Sequence, residues 1–155
     1  MKIKPQTAVI ASVLFVVAGI LGSIALGWWQ TESTKIPDRL EITTDAGEEA
    51  AYDPADIRGS YTLNEISDLF EIPLEDLASA FAVEQNKAAG FKVKELETIY
   101  TDPDSEVGTS SMRLFVAWYK GLPYELKEDS FLPAPAAAIL REKAVLTADQ
   151  EEYLK

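Results

Sequence analysis

The chain has no cysteine and no histidine among its 155 residues. Their absence excludes disulfides, thiolate nucleophiles, iron–sulfur ligation, covalent haem attachment and imidazole metal sites. It also removes the usual general base at neutral pH. No cofactor is expected. Positive charge is scarce as well: 14 Lys and Arg stand against 26 Asp and Glu. All 26 acids lie beyond residue 31 and only Lys2 and Lys4 precede it, so the remainder carries 12 basic and 26 acidic side chains, a net of −14. Such a body repels phosphate backbones and anionic headgroups, and nucleic acid is not an expected partner.

Charge is missing altogether from residues 8–29, AVIASVLFVVAGILGSIALGWW. As a helix these span roughly 33 Å at about 1.5 Å per residue, against a hydrocarbon core of about 30 Å. The expectation is a membrane anchor over residues 1–29, with Trp28 and Trp29 at the headgroup layer. Lys2 and Lys4 precede the run and Glu32 is the first charge after it, which leaves the N-terminus in the cytoplasm and sends the rest outside. A cleaved signal peptide is the competing reading, with Ser23-Ile24-Ala25 as a passable cleavage site. Against it, the apolar run exceeds the roughly 7–15 residues of a signal core. Gly19, Ser23 and Gly27 recur every fourth residue, a spacing that lets two helix backbones approach closely in lipid.

Residues 30–57 read as a polar linker containing Pro37 and Pro54, with a short extended piece where Leu40, Ile42 and Thr44 alternate with polar residues. From residue 58 to 155 the signals are helical, and the fold class is all-α, with about three helical hairpins. Thr62 and Glu65 form a capping box, and Leu63, Ile66, Leu69 and Phe70 follow on one face. Ile72-Pro73 breaks that helix and opens a second, striped by Leu74, Leu77, Ala78 and Phe81. The next pair is KVKELETIY and SMRLFVAWYK, the latter capped at Thr109 or Ser110 and stopped by Gly121 and Pro123. Because SMRLFVAWYK is apolar around nearly its whole circumference, it is the expected core helix, with Trp118 or Tyr119 partly outward. These two and Leu122 are the candidate contact residues for a partner. The third pair starts at Pro135 and ends in TADQEEYLK, opened by a Thr147–Gln150 capping box.

A helical hairpin such as 59–81 often reads DNA, but PLEDLASAFAVEQN carries Glu75, Asp76 and Glu84 and no basic residue, so it is a packing unit. Asp102, Asp104 and Glu106 resemble the start of a calcium loop. However, position six is Val107 and position twelve is Arg113, where such a loop needs Gly and a bidentate Glu. Ser110 and Ser111 have no histidine partner. The chain is not expected to be an enzyme.

Two stretches, YDPADIRGSYTLNEISDLFEIPLEDLASAF and EVGTSSMRLFVAWYKGLPYE, resemble a small domain of anaerobic bacteria. That domain is attached to, or encoded beside, membrane-bound four-iron–four-sulfur ferredoxin-like proteins of the NapH/NosR type. The similarity covers roughly residues 52–155. It rests on Ile57-Arg58-Gly59-Ser60-Tyr61-Thr62, Ile72-Pro73-Leu74, Val107-Gly108-Thr109 and Gly121-Leu122-Pro123, none of which is a ligand. The redox partners carry cysteine clusters and this chain has none. The resemblance therefore implies an accessory subunit, docked to a membrane ferredoxin-like or cytochrome partner, rather than an electron carrier. The expected function is a non-catalytic, single-pass interaction subunit with an extracytoplasmic body. A freestanding extracytoplasmic ligand or signal sensor is the alternative, and a hydrolase using carboxylates alone is a third.

Overall fold

A computed structural model describes Val16, Val17, Gly19 and residues 36–44, 47–101, 107–126 and 130–155, with backbone only at 42–44 and 47–49. The chain divides into two units, Met1–Lys35 and Ile36–Lys155. In the first, Val16, Val17 and Gly19 are helical. No helix among the described residues is long and apolar enough to cross a membrane. Except for those three residues, the expected anchor lies outside the described residues.

In the second unit the chain begins with an antiparallel hairpin, β1 (Arg39–Thr44) and β2 (Gly47–Tyr52), in register from Arg39 opposite Tyr52 to Thr44 opposite Gly47. The expected all-α character holds in the main: the described residues are mostly helical, and a β-hairpin stands within residues 30–57, where the sequence reads as a polar linker. Only β1 carries an alternating pattern. GEEAAY has weak strand propensity and becomes a strand by pairing and by what its last residue touches. Tyr52 meets Phe70 edge-on at 6.3 Å between ring centroids, and the Arg39 guanidinium lies 5.3 Å over the Tyr52 ring. At the base, Asp53 N donates to Asp38 O (2.8 Å) and Asp38 N to Asp56 Oδ2 (2.9 Å), which ties the hairpin to a 3-10 turn at Pro54–Asp56.

Helix α1 (Leu63–Phe70) starts where Thr62 and Glu65 cap each other. Glu65 N donates to Thr62 Oγ1 (3.2 Å) and Thr62 N to Glu65 Oε2 (2.8 Å), satisfying two otherwise orphaned amides. It stops at Glu71, whose φ of 53° is left-handed. Pro73 caps α2 (Leu74–Ala80), and a further turn, α3 (Gln85–Ala88), follows Ala82, itself at φ 53°. The chain then returns beside the start of α1: Leu63 N donates to Phe91 O (2.9 Å), Val93 N to Tyr61 O (2.9 Å) and Lys94 N to Gly59 O (3.0 Å). A Cβ at Gly59 would come within 3.1 Å of the Lys94 Cβ, a contact tight enough that the neighbouring chain would have to give by a few tenths of an ångström. A 3-10 turn at Val93–Glu95 leads into α4 (Leu96–Ile99).

Helix α5 (Thr109–Lys120) is the core helix, as its composition predicts: Met112, Leu114, Phe115, Val116, Ala117 and Trp118 are all buried. Its cap is Gly108, not Thr109 or Ser110; Gly108 N donates to Ser111 Oγ (3.3 Å). Gly121, at φ 64°, ends it, and Leu122 N closes onto Ala117 O (2.8 Å). Helices α6 (Ala134–Lys143) and α7 (Ala148–Tyr153) complete the body, with Thr147 and Gln150 capping α7 reciprocally.

The pairing of helices differs from three sequence-local hairpins. α1 does pack on α2, but α2 packs most extensively on α6, and α5 packs on α6 and on both 3-10 turns. Short helices bury little against an immediate neighbour, so the apolar faces converge on the one long apolar helix and on each other across the sequence.

Candidate functional site

Of the three residues expected to meet a partner, two are interior. Trp118 is 2% exposed, its ring edge-on to Tyr153 at 5.3 Å, and Leu122 is 9% exposed. Tyr119 is half-buried and points inward: its hydroxyl donates to Asp76 Oδ2 at 2.7 Å. Trp118 is not left outward because α7 arrives from the end of the chain and lays Tyr153 against it.

Asp76 joins three helices. It is 6% exposed, in the first turn of α2, where the helix dipole favours a carboxylate. Besides Tyr119 on α5, Lys143 on α6 donates from Nζ to both carboxylate oxygens, at 2.7 and 2.8 Å. Burial, then the hydrogen bond to Asp76 and its charge, push the Tyr119 hydroxyl up to about 12. The hydrogen bond to Asp76 raises Lys143, outweighing the lowering from desolvation. A phenol held protonated is no base at neutral pH, and a lysine held cationic is no nucleophile. The cluster is a structural tie. Asp76 and Lys143 stand 67 positions apart, so no local sequence rule connects them.

Two features face outward. Phe131 and Tyr153 are 40% and 41% exposed, and the Tyr153 hydroxyl donates to the carbonyl of Ser130, which ties α7 to the residue beside Phe131 and holds the Tyr153 ring over buried Trp118. Helix α7 is held down further by Arg141 Nη2 donating to Leu154 O. Neither ring stands out in the sequence as a contact residue, since Phe131 lies in no periodic stretch.

The second feature is a cleft of about 740 Å³ between the base of the β-hairpin (Leu40, Asp53), Arg113 on α5, the segment Leu122–Glu125 and Gln150 of α7. Arg113 is fixed by donating from Nε to Ile57 O at 2.8 Å. Tyr124 directs a hydroxyl into a shielded position where it has no hydrogen-bond partner among the described residues. Its pKa is raised by burial, with Arg113 pulling the other way and Asp53 adding to the rise. These residues come from four separate segments, and sequence reading sets Leu40, Arg113, Leu122, Pro123 and Gln150 in unconnected patterns without joining them into one cleft.

Asp102, Asp104 and Glu106 lie outside the described residues, as do Ser23 and Gly27. A Cβ at Gly19 would meet no described atom within 4 Å. Among the described residues no group of three or more acidic side chains is placed to hold a metal ion. Compared with known proteins, the chain matches no family model, no curated protein and no solved structure.

Proposed function

We propose that the chain is a non-catalytic accessory subunit, anchored in the membrane by residues 8–29 and docking a protein partner through its extracytoplasmic helical body. The resemblance of residues 52–155 makes that partner an iron–sulfur or cytochrome subunit of a membrane electron-transfer system. The observation that carries docking is the Phe131–Tyr153 pair, two half-exposed rings on segments tied together beside a buried tryptophan. Large aromatics with little freedom left to lose are the residues that anchor interfaces. Gly19, Ser23 and Gly27 supply a ridge for a partner helix in the bilayer.

Purification from native membranes in mild detergent, followed by mass spectrometry, should retrieve an iron–sulfur or cytochrome subunit. Phe131→Ser should abolish that co-purification while leaving the unfolding midpoint within about 0.5 kcal/mol of the parent, as exposed substitutions do. Retrieval of no partner from native membranes would remove this reading, and a mature N-terminus near Leu26 would remove the anchor.

A second reading, an extracytoplasmic ligand sensor, is favoured by the cleft. Its volume of about 740 Å³ matches the size of small-molecule sites, which run from about 300 to 1,000 Å³.

A further inference from the structure

We infer that α7, with the residues on either side of it (144–155), is a strap that opens while the rest of the body stays folded, and that only its closed state presents Phe131 and Tyr153 together to a partner. The inference rests on docking at that pair and adds a condition to it: docking selects the closed strap.

The strap is weakly seated. No residue of α7 is buried, and among the described residues no other element packs extensively on it. It has six residues, well short of the roughly 12–15 at which an isolated helix becomes marginally stable in water. The Thr147–Gln150 capping box orders its first turn but ties it to nothing else. Upstream, residues 144–146 connect it to α6, and Val145 in their middle is 93% exposed. A segment with so little apolar burial opens locally, at a fraction of the free energy of global unfolding.

What holds the strap down runs mainly through Tyr153. Its ring sits edge-on to Trp118 at 5.3 Å and its hydroxyl donates to Ser130 O; Leu154 is buried beside it and accepts at its carbonyl from Arg141 Nη2 on α6. The residue that would meet the partner is therefore also the latch. Lifting the strap takes Tyr153 away from Ser130, and so from Phe131, and opens Trp118 to solvent. A partner that rests on both rings binds the closed state alone, and its apparent affinity falls with the fraction of chains that are closed. Arg141 separates latch from docking face, because it acts on the strap through the Leu154 carbonyl and carries neither ring.

The test is hydrogen exchange on the full-length chain in detergent. The amides of Glu151 and Leu154, bonded to Thr147 O and Gln150 O, should exchange at least about a hundredfold faster than those of α5, yet slower than in an unfolded chain. Arg141→Ala should speed them about fivefold further, as loss of one partly exposed hydrogen bond does, with α5 unchanged. Thr147→Ala, which removes the cap, should act in the same direction. With Trp28 and Trp29 replaced by Phe, Trp118 is the remaining indole, and Arg141→Ala should make its emission easier to quench with acrylamide. Co-purification of the iron–sulfur or cytochrome subunit should fall with Arg141→Ala although both rings remain. Amides in α7 that exchange as slowly as those of α5, or as fast as in an unfolded chain, would overturn the strap. Faster exchange in Arg141→Ala with undiminished co-purification would overturn its control of docking. If the parent chain retrieves no such subunit, docking fails and its control with it, while the exchange rates still decide whether the strap opens.

Discussion

Removing the Asp76 carboxylate would take the acceptor from the half-buried Tyr119 hydroxyl, while the exposed Lys143 ammonium would turn to water. Asp76→Ala should therefore cost about 1 kcal/mol, the worth of the Tyr119 hydrogen bond, with the solvent-screened Lys143 pair adding little. A lower urea midpoint with an unchanged slope would show it. The opposite sign is expected at Ala82, which holds an exposed left-handed conformation at φ 53°. Ala82→Gly relieves the Cβ clash at some cost in unfolded-chain entropy, for a net gain of about 0.5 kcal/mol. Loss of stability there would mean that Ala82 is not left-handed. Neither residue is conspicuous in the sequence. Asp76 reads as an ordinary first-turn acid, and its burial is imposed by α5 and α6 arriving from far along the chain.

Helices whose ends are written in local chemistry were legible, and those made by packing were not. The Thr62–Glu65 and Thr147–Gln150 boxes mark the starts of α1 and α7, and Gly121 marks the end of α5. Thr62→Ala should cost about 1 kcal/mol, read as a lowered unfolding midpoint. Phe115→Ala should cost about 3–5 kcal/mol, because Phe115 is fully buried and meets Phe81 edge-on at 5.6 Å and Tyr119 at 5.7 Å. A loss below about 1 kcal/mol would contradict its place at the centre. By contrast, α3 has no apolar stripe and β2 has no alternation; both exist because neighbours hold them. Beyond the α1–α2 pair the most extensive helix contact is between α2 and α6, far apart in sequence, because capping boxes report where helices start, not which helix each one meets.

Across the body, buried tyrosines and the Asp76 cluster predict alkaline lability. Tyr119 is held up to about 12 from an ordinary 10.0, and Lys143 is raised above 10.5. Burial raises Tyr100, Tyr124 and Tyr153 as well. Each raised group contributes stability that is whole below its unfolded pKa and is lost as the pH climbs through its folded one. Stability should thus be flat near neutrality and fall between about pH 10 and 12. In Tyr119→Phe that fall should be shallower, measured by urea unfolding across the range. An unchanged alkaline slope would mean that the Tyr119 hydroxyl is neither desolvated nor bonded to Asp76.

What the sequence determines by itself is whatever depends on neighbours within a turn or two. That includes the mainly helical character of the body after residue 58, the capping boxes at Thr62 and Thr147, the apolar identity of α5 and the absence of thiol and imidazole groups. Tertiary structure decided the rest: that Trp118 is covered while Phe131 and Tyr153 are left outward, that Asp76 is shared by three helices, and that Arg113, Asp53 and Tyr124 line one cleft. The reason is range. A helix cap is settled within four residues by backbone geometry, whereas burial and a shared cleft depend on which distant surfaces close over one another, and that follows from the sum of many weak apolar contacts.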